Sequence, residues 1–182
     1  MQSTRKAVMD EEVALVAADG TVLGSVPRSR MRAENLLHAA SATLLRNVAG
    51  DLYVHQRSPL KDWCPSAHDA ACGGVVRYGE DPVENAPREL AEELGVEGAV
   101  LEPLGTRLYQ DDTVRVLEYV FEARWDGPIR FADGEIVAGE WLSLEALGAL
   151  LRDPSWAFVP DTRNLLTGLA RDGVRDYARL LS

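Results

Sequence analysis

Cysteine and lysine are scarce in this chain of 182 residues, since each occurs only twice. The spacing of Cys64 and Cys72 matches neither a redox CxxC motif nor a zinc-ligand pair, so we expect two reduced thiols. No apolar run reaches the length of about 18 residues that a membrane-spanning helix needs. The first ten residues also lack the basic and then apolar pattern of a secretion signal. The sequence therefore predicts a cytoplasmic protein without a membrane partner.

Basic residues are fewer than acidic residues, 19 against 29, so the formal net charge is −10 at pH 7. This charge opposes a phosphate backbone, and the basic residues are scattered along the chain, so we do not expect binding to a nucleic acid duplex. Small phosphorylated ligands remain compatible, since a bound divalent cation can reverse the local field of an acidic site.

The length predicts a single domain over residues 11–182, with residues 1–10 disordered. The sequence leaves the oligomeric state open, and a homodimer is compatible with it.

The order of apolar runs and turn signals predicts an α/β (α+β) sandwich, in which a central mixed β-sheet has helices packed on both sides. Asp19-Gly20 separates two short runs that indicate an N-terminal β-hairpin. Residues 36–46 and 52–56 suggest a second antiparallel pair, followed by a loop over residues 57–67. Further strands are predicted at 69–76, 101–109, 115–124 and 135–141, and further helices from Ser143 and over 161–181.

A central helix is predicted between Asp81 and Gly95. Asp81 is a suitable N-cap, Pro82 suits the first helical position, and glycine at 95 is a typical C-terminal stop. Pro87 is the exception, because proline inside a helix removes a backbone hydrogen bond. We therefore expect a kinked or 3₁₀ first turn.

The most informative stretch covers residues 74–96, which read GVVRYGE, then seven residues, then RELAEELGV. On a helix with about 100° per residue, Glu89, Glu92 and Glu93 share one face, while Leu90 and Leu94 point to the other. Close carboxylates repel each other by roughly 0.5–1 kcal/mol per pair even in solvent. A hard cation such as Mg²⁺ or Mn²⁺ would relieve this repulsion.

The spacing of this stretch resembles the signature of the Nudix hydrolase superfamily. A chance match at its nine specified positions has odds on the order of one in a million. The resemblance implies a Nudix-type sandwich and hydrolysis of a small-molecule diphosphate, such as a nucleoside diphosphate or a compound linked through one, with Mg²⁺ or alternatively Mn²⁺ as cofactor. It also implies roles for six residues. Glu92 and Glu93 would be the main metal ligands, Glu89 a further ligand or the catalytic base, and the Gly74 carbonyl another ligand, while Glu80 and Arg88 would tie the loop to the helix.

Segments outside the signature, LLHAASATLLRN, HQRSPLKDWCPSAHDAACGGVV and GEWLSLEAL, resemble the superfamily branch similar to type I isopentenyl-diphosphate isomerase. Cys72 and His38 stand where that isomerase has its catalytic cysteine and one metal histidine. Other isomerase ligand positions are replaced by Met31, Gly74, Val114 and Val116. We therefore interpret the chain as a hydrolase and Cys72 and His38 as core residues. An isomerase-like enzyme and a non-catalytic nucleotide-binding module remain the alternatives.

Substrate contacts are predicted in the loop after the fourth strand. Arg57 and Lys61 lie four residues apart there, as in relatives where this pair contacts a diphosphate. The catalytic base of such enzymes often lies outside the signature, and the sequence does not choose among Glu118, Glu122, Glu135 and Glu140. Aromatic side chains that could stack on a base are Tyr53, Trp63, Tyr78 and Tyr109.

Overall fold

The computed structural model describes residues 10–132 and 134–182. Residues 1–9, which carry most of the segment expected to be disordered, lie outside this range. The elements in chain order are β1 Glu12–Val16, β2 Val22–Pro27, α1 Arg28–Ala33, β3 His38–Arg46, β4 Leu52–Arg57, β5 His68–Asp69, β6 Ala71–Cys72, α2 Pro82–Leu94, β7 Leu101–Gln110, β8 Arg115–Arg124, β9 Ile136–Leu142, α3 Leu144–Arg152, α4 Pro160–Arg171 and a 3₁₀ helix Tyr177–Leu181.

Strand β3 organises one mixed, curled sheet. It pairs in parallel with β8 along its whole length, from His38 opposite Val116 to Arg46 opposite Arg124. On its other edge it contacts β1 and β6 in antiparallel register. The predicted N-terminal hairpin is present as β1 and β2. Strand β7 extends the sheet beyond β8, and β9 extends it beyond β4.

The predicted antiparallel pairing of β3 with β4 is correct only beside the turn between them. Arg46 opposite Leu52 is the pair that joins these two strands. Beyond that pair, the hydrogen bonds of β3 go to β8 and those of β4 go to β9. The two strands separate, and the cleft described below is lined by the first residues of β3, from His38, and by Arg57 at the end of β4.

Apolar cores fill both faces of the sheet, as the sequence predicts. Leu44 packs on the side of α3 and α4, whereas its neighbour Leu45 packs on the side of α2. Side chains that alternate along β3 therefore serve two different cores. Leu90 and Leu94 of α2 fill the second core, which leaves the opposite face of this helix open. None of the helices in the described ranges has the length and apolarity to cross a bilayer.

Helix α2 is α-helical without interruption from Pro82 to Leu94, so the expected 3₁₀ first turn is wrong. The Asp81 carboxylate accepts a hydrogen bond from the Val83 amide at 2.9 Å. The Asp81 carbonyl accepts from the amides of Glu84 and Asn85, each at 2.9 Å. These contacts complete the first turn N-terminal to Pro87, so the missing amide hydrogen of this proline does not disturb it. The proline ring is exposed. Gly95 ends the helix with a φ of 64°, where glycine is favoured.

The C-terminal helix predicted over residues 161–181 is also wrong in its second half. Helix α4 ends at Arg171, and Gly173 follows with a φ of 66°. The amide of Val174 then donates to the Leu169 carbonyl at 3.0 Å, which closes the helix end. The chain turns back at this point and continues as the separate 3₁₀ helix. Two further features that the sequence did not suggest are helix α1 and the parallel pairing of β3 with β8.

A buried ionic network attaches this C-terminal segment to the sheet. Glu122 of β8 has a fully buried side chain that accepts a hydrogen bond from the Tyr177 hydroxyl at 2.7 Å. It also pairs with Arg175, and Arg46 of β3 lies 3.6 Å away. Arg46 in turn donates to Asp176 at 2.9 Å. Glu122 therefore has a structural role and is removed from the candidates for a catalytic base.

We expect Glu122→Gln to lower the free energy of unfolding by roughly 3 kcal/mol, because the variant removes a fully buried carboxylate that compensates the buried Arg46 and accepts from Tyr177. Urea denaturation would measure this loss. Glu145→Gln is the matched control, since Glu145 pairs with Arg179 at the surface and exposed pairs contribute about 1 kcal/mol or less. Equal losses in the two variants would contradict the role assigned to Glu122.

Candidate active site

A cleft with two differently charged halves lies beside the C-terminal half of α2 and the strands β3 and β8. The first, which we call the glutamate half, is lined by Glu89, Glu92, Glu93 and Glu135, together with Arg77 and Arg88. The second, the arginine half, is lined by Arg32, Arg57, Trp63, Glu118 and Asp161 among others. Arg28, Lys61, Gly73, Gly74 and Val75 line both halves. The two halves therefore form one continuous binding surface.

The three signature glutamates share the face of α2 that the sequence predicts, but they differ in exposure. Glu93 is 6% exposed, the Glu89 side chain 14% and the Glu92 side chain 52%. The series therefore runs from the floor of the cleft to its rim. Three carboxyl groups at graded depth can present oxygen atoms to one ligand from below and from the side.

Glu93 is the most perturbed of the three. Burial raises its pKa to about 8, and the negative charge of Glu89 adds to this, although the Cys72 thiol and Lys61 act in the opposite direction. Cys72 Sγ donates to Glu93 Oε2 at 3.0 Å. Burial also raises the pKa of Glu89, against the effect of Arg88. Both carboxyls therefore bind a proton more readily than an exposed glutamate.

Glu80 and Arg88 meet across the loop that precedes α2. Arg88 Nε donates to Glu80 Oε1 at 2.9 Å, and Arg88 Nη2 donates to Glu80 Oε2 at 3.3 Å. Asn85 Nδ2 and the Arg77 amide donate to the same carboxylate, each at 3.0 Å. Burial alone would raise the pKa of Glu80, but these hydrogen bonds outweigh it and lower the pKa to about 2. The loop is thus bound to the helix by an ionised pair.

Two adjacent glycines bring the loop close to its neighbours. A Cβ at position 73 would lie 2.0 Å from the Ser41 carbonyl oxygen, so the backbone itself occupies that space. A Cβ at position 74 would lie 2.6 Å from the Glu89 carboxyl carbon. The Gly74 carbonyl accepts a hydrogen bond from the Ser41 amide at 3.0 Å, which leaves one lone pair of this oxygen available.

Lys61 and Arg57 both line the arginine half, and Lys61 also reaches the glutamate half. Lys61 pairs with Glu135, which brings a glutamate from outside the signature to the site. Arg57 Nη2 donates to the Trp63 carbonyl at 3.1 Å, and Arg57 Nη1 lies 3.8 Å from the Asp69 carboxylate. The sequence did not indicate Arg28, Arg32 or Asp161, which line the cleft from distant parts of the chain.

The isomerase-like residues have a different environment from the one that isomerase chemistry needs. Cys72 is buried among the apolar residues below α2, and burial raises the pKa of its thiol well above the usual range. His38 is also buried, and its Nδ1 lies 3.0 Å from the Leu36 carbonyl. Burial lowers the pKa of His38 to about 4. Val114 and Val116 are buried apolar residues, and Val116 lies opposite His38 in the sheet.

Comparison with known proteins places this architecture in a family. The NUDIX domain model matches residues 36–162, so the chain belongs to the Nudix hydrolase family. An uncharacterised Nudix hydrolase of Rhodococcus erythropolis, orf19, is 40% identical over 167 residues, which cover 86% of this chain and 90% of that protein. The Nudix hydrolase YfcD of Escherichia coli K12 is 31% identical over 162 residues, which cover 89% of this chain and 88% of that protein.

A solved structure supports the same assignment. DR0079 from Deinococcus radiodurans is 32% identical, with a TM-score of 0.76, and the match covers 91% of this chain and all of that chain. The protein is thus a Nudix hydrolase, and members of this family hydrolyse substrates linked through a nucleoside diphosphate. These relatives do not confirm the more specific resemblance to isopentenyl-diphosphate isomerase.

Gly73→Ala should lower stability and Gly74→Ala should lower turnover, because the neighbours of the two glycines differ. At position 73 the new Cβ meets backbone, so we expect a loss of about 1–3 kcal/mol in the free energy of unfolding. At position 74 it meets the end of a flexible side chain, so we expect the protein to remain folded while the Glu89 carboxylate is displaced and turnover falls. Chemical denaturation and activity assays would separate the two outcomes.

Gly168→Ala is the control for both variants, because a Cβ there meets nothing within 4 Å. In the interior of α4 it should raise stability by about 0.5–1 kcal/mol. Full activity of Gly74→Ala would contradict the proposed closeness of Gly74 and Glu89.

Proposed function

We propose that this chain hydrolyses the diphosphate linkage of a nucleoside diphosphate, or of a small molecule linked through one, with Mg²⁺ as cofactor and Mn²⁺ as a substitute. Glu89, Glu92, Glu93 and the Gly74 carbonyl would hold the cation. The observation that carries the proposal is the graded placement of these glutamates in a cleft whose other half is rich in arginine. This arrangement matches a polyanionic ligand that is bound together with a cation.

The donor set fits a hard divalent cation. Carboxylate and carbonyl oxygens are the ligands that Mg²⁺ and Mn²⁺ prefer. Within the described residues, no three acidic, histidine or cysteine side chains already converge closely enough to enclose an ion. Arg88 contacts Glu89 at 2.9 Å and Glu92 at 3.0 Å, while Glu93 faces Cys72. Binding of the cation would therefore turn these carboxylates away from their present partners.

The residues of the cleft divide the work of hydrolysis. When bound, the cation would neutralise charge on the phosphate oxygens and lower the pKa of a water molecule. Glu89 is the candidate base, because burial raises its pKa above the usual range of a glutamate and its carboxylate lies at mid-depth beside Gly74. A carboxylate with a raised pKa accepts a proton more readily. Glu135, which pairs with Lys61 and lines the glutamate half, is the alternative outside the signature.

Arg57 and Lys61 would bind the diphosphate from the opposite side. Both side chains are largely buried, with 14% exposure each. The planar guanidinium of Arg57 suits two oxygens of one phosphate group, and the ammonium group of Lys61 can follow either phosphate. A diphosphate lying across the junction of the two halves would contact these cations on one side and the metal-bound glutamates on the other.

The isomerase-like alternative receives less support from the geometry. Its cysteine would need access to substrate and an ionisable thiol, whereas Cys72 is buried with a raised pKa. We expect no deuterium uptake from solvent into isopentenyl diphosphate when exchange is followed by mass spectrometry. Uptake that is lost in Cys72→Ser would favour the isomerase. Tight nucleotide binding without turnover over a broad substrate panel would instead favour a non-catalytic module.

Phosphate or nucleoside monophosphate release from a panel of nucleoside diphosphates tests the hydrolase directly. Excess EDTA should abolish release, and either Glu92→Gln or Glu93→Gln should reduce turnover on the order of 100-fold, because a catalytic cation contributes several kcal/mol to the barrier. Gln at position 93 resembles the protonated state that burial already favours, so we expect this variant to fold.

Glu97→Gln is the matched control, because it removes the same charge outside the cleft. Glu97 is exposed in the loop after α2. Its turnover should equal that of the unmodified protein. Full activity in both Glu92→Gln and Glu93→Gln would refute the proposed metal site.

A further inference from the structure

The inner end of the arginine half contains acidic groups that the proposed hydrolysis does not use. Glu118 of β8 is 4% exposed and Asp69 is 6% exposed. Asp161, in the first turn of α4, lines the same hollow. The Thr162 hydroxyl donates to Asp69 at 2.7 Å, so Asp69 has a partner on the protein. Asp62, which also lines the hollow, lies 3.7 Å from Arg32. One oxygen of Asp161 accepts a hydrogen bond from the Thr162 amide at 2.8 Å, so we assign Glu118 and the other oxygen of Asp161 to a ligand.

Unpaired polar atoms are concentrated at this hollow. Within residues 10–132 and 134–182, the buried side-chain atoms without a hydrogen-bond partner are Arg32 Nε, Thr43 Oγ1, Arg57 Nε and Glu118 Oε2. All but the threonine atom belong to residues that line the arginine half. An unpaired buried polar group costs about 1–3 kcal/mol, and such atoms are rare in folded proteins. Their concentration in one hollow indicates that a ligand completes their hydrogen bonds.

The unpaired atoms define what that ligand must offer. Arg32 and Arg57 can only donate, so their Nε atoms need acceptors. The Asp62 carboxylate lies 3.7 Å from Arg32 Nε, which is too far for a hydrogen bond. Glu118 Oε2 is a carboxyl oxygen that needs a donor unless it carries the proton itself. A molecule with anionic oxygens at one end and N–H groups at the other satisfies both requirements. Trp63 adds an aromatic ring to the same hollow. The guanidinium carbons of Arg32 and Arg57 lie 6.0 and 5.9 Å from its centroid, so the ring is next to the groups that such a ligand would contact.

We propose that Glu118 and Asp161 recognise the exocyclic amino group of a nucleobase, so that the enzyme prefers substrates whose base carries an amino group over those with a keto group at that position. This inference rests on the proposed diphosphate hydrolysis, since the base would enter the arginine half while the diphosphate lies at the junction with the glutamate half. It adds a specificity role for residues that lie outside the signature.

The charge state of the two carboxyls supports this preference. Burial raises the pKa of Asp161 to about 7, and the negative charge of Asp69 adds to it. Burial and the charge of Asp161 raise the pKa of Glu118 well above its usual range. Even when the pair holds a proton, its four oxygens present more acceptors than donors. An amino group donates two N–H bonds to such a pair, as in known pairing of carboxylates with the cytosine amino group. A keto oxygen would face lone pairs.

Binding of nucleoside monophosphates tests this inference without requiring hydrolysis. Isothermal titration calorimetry would compare AMP with IMP, and CMP with UMP, because the members of each pair differ only in the amino or keto group and in the proton on the neighbouring ring nitrogen. We expect the unmodified protein to bind the amino member of at least one pair roughly 5- to 100-fold more tightly. In Glu118→Gln the ratio should fall to about one, because the amide offers one donor and one acceptor to either base.

Asp161→Asn provides a second variant should Glu118→Gln fail to fold, and the same collapse of the ratio is expected. Glu97→Gln should keep the ratio of the unmodified protein. Equal affinity for both members of each pair, an unchanged ratio in both variants, or no binding of any of the four monophosphates would overturn the inference. Diphosphate hydrolysis without such a ratio removes the inference alone, whereas the ratio without hydrolysis removes the proposed function and leaves the base site.

Discussion

A single guanidinium group, that of Arg88, determines how the carboxylates of the cleft can coexist. It contacts Glu80 at 2.9 Å, Glu89 at 2.9 Å and Glu92 at 3.0 Å. Without this positive charge, the glutamates of α2 and the preceding loop would repel each other in a partly buried site. Arg88 therefore fixes the loop to the helix through Glu80, and it also compensates the charges that a cation would compensate in the working enzyme.

The close approach of backbones around Gly73 and Gly74 places these charges where a substrate can reach them. Because position 73 has no room for a side chain beside Ser41, the loop lies directly against β3. The Glu89 carboxylate then fills the space beside Gly74. Leu90 and Leu94 hold α2 against the sheet from its other face. Packing on one side of the helix and electrostatics on the other thus define the same orientation.

The sequence predicts the parts of this site that depend on local spacing. Positions of Glu89, Glu92 and Glu93 follow from helical periodicity, and the meeting of Glu80 with Arg88 follows from the signature. The sequence also indicated Arg57 and Lys61 in the arginine half, but it had no signal for Arg28, Arg32 and Asp161. These residues come together only through the parallel pairing of β3 with β8 and the return of α4. No spacing rule links residues so far apart in the chain.

Errors at the level of secondary structure have similarly specific causes. The periodicity of leucines continues past Arg171, but Gly173 adopts a positive φ and ends the helix. Proline at position 87 suggested a distorted first turn, yet the exposed ring and the Asp81 cap allow a continuous helix. In both cases the conformation of a single backbone position determines whether the helix continues, and the pattern of apolar residues does not reveal that conformation.

The most direct test of the account is a crystal structure with Mn²⁺ and a nucleoside diphosphate analogue whose bridging oxygen is replaced by methylene. Anomalous scattering would locate the metal. The account predicts Mn²⁺ bound by Glu89, Glu92, Glu93 and the Gly74 carbonyl, with the diphosphate between the metal and the side chains of Arg57 and Lys61. Metal bound elsewhere, or a diphosphate that contacts none of these glutamates through metal, would contradict it.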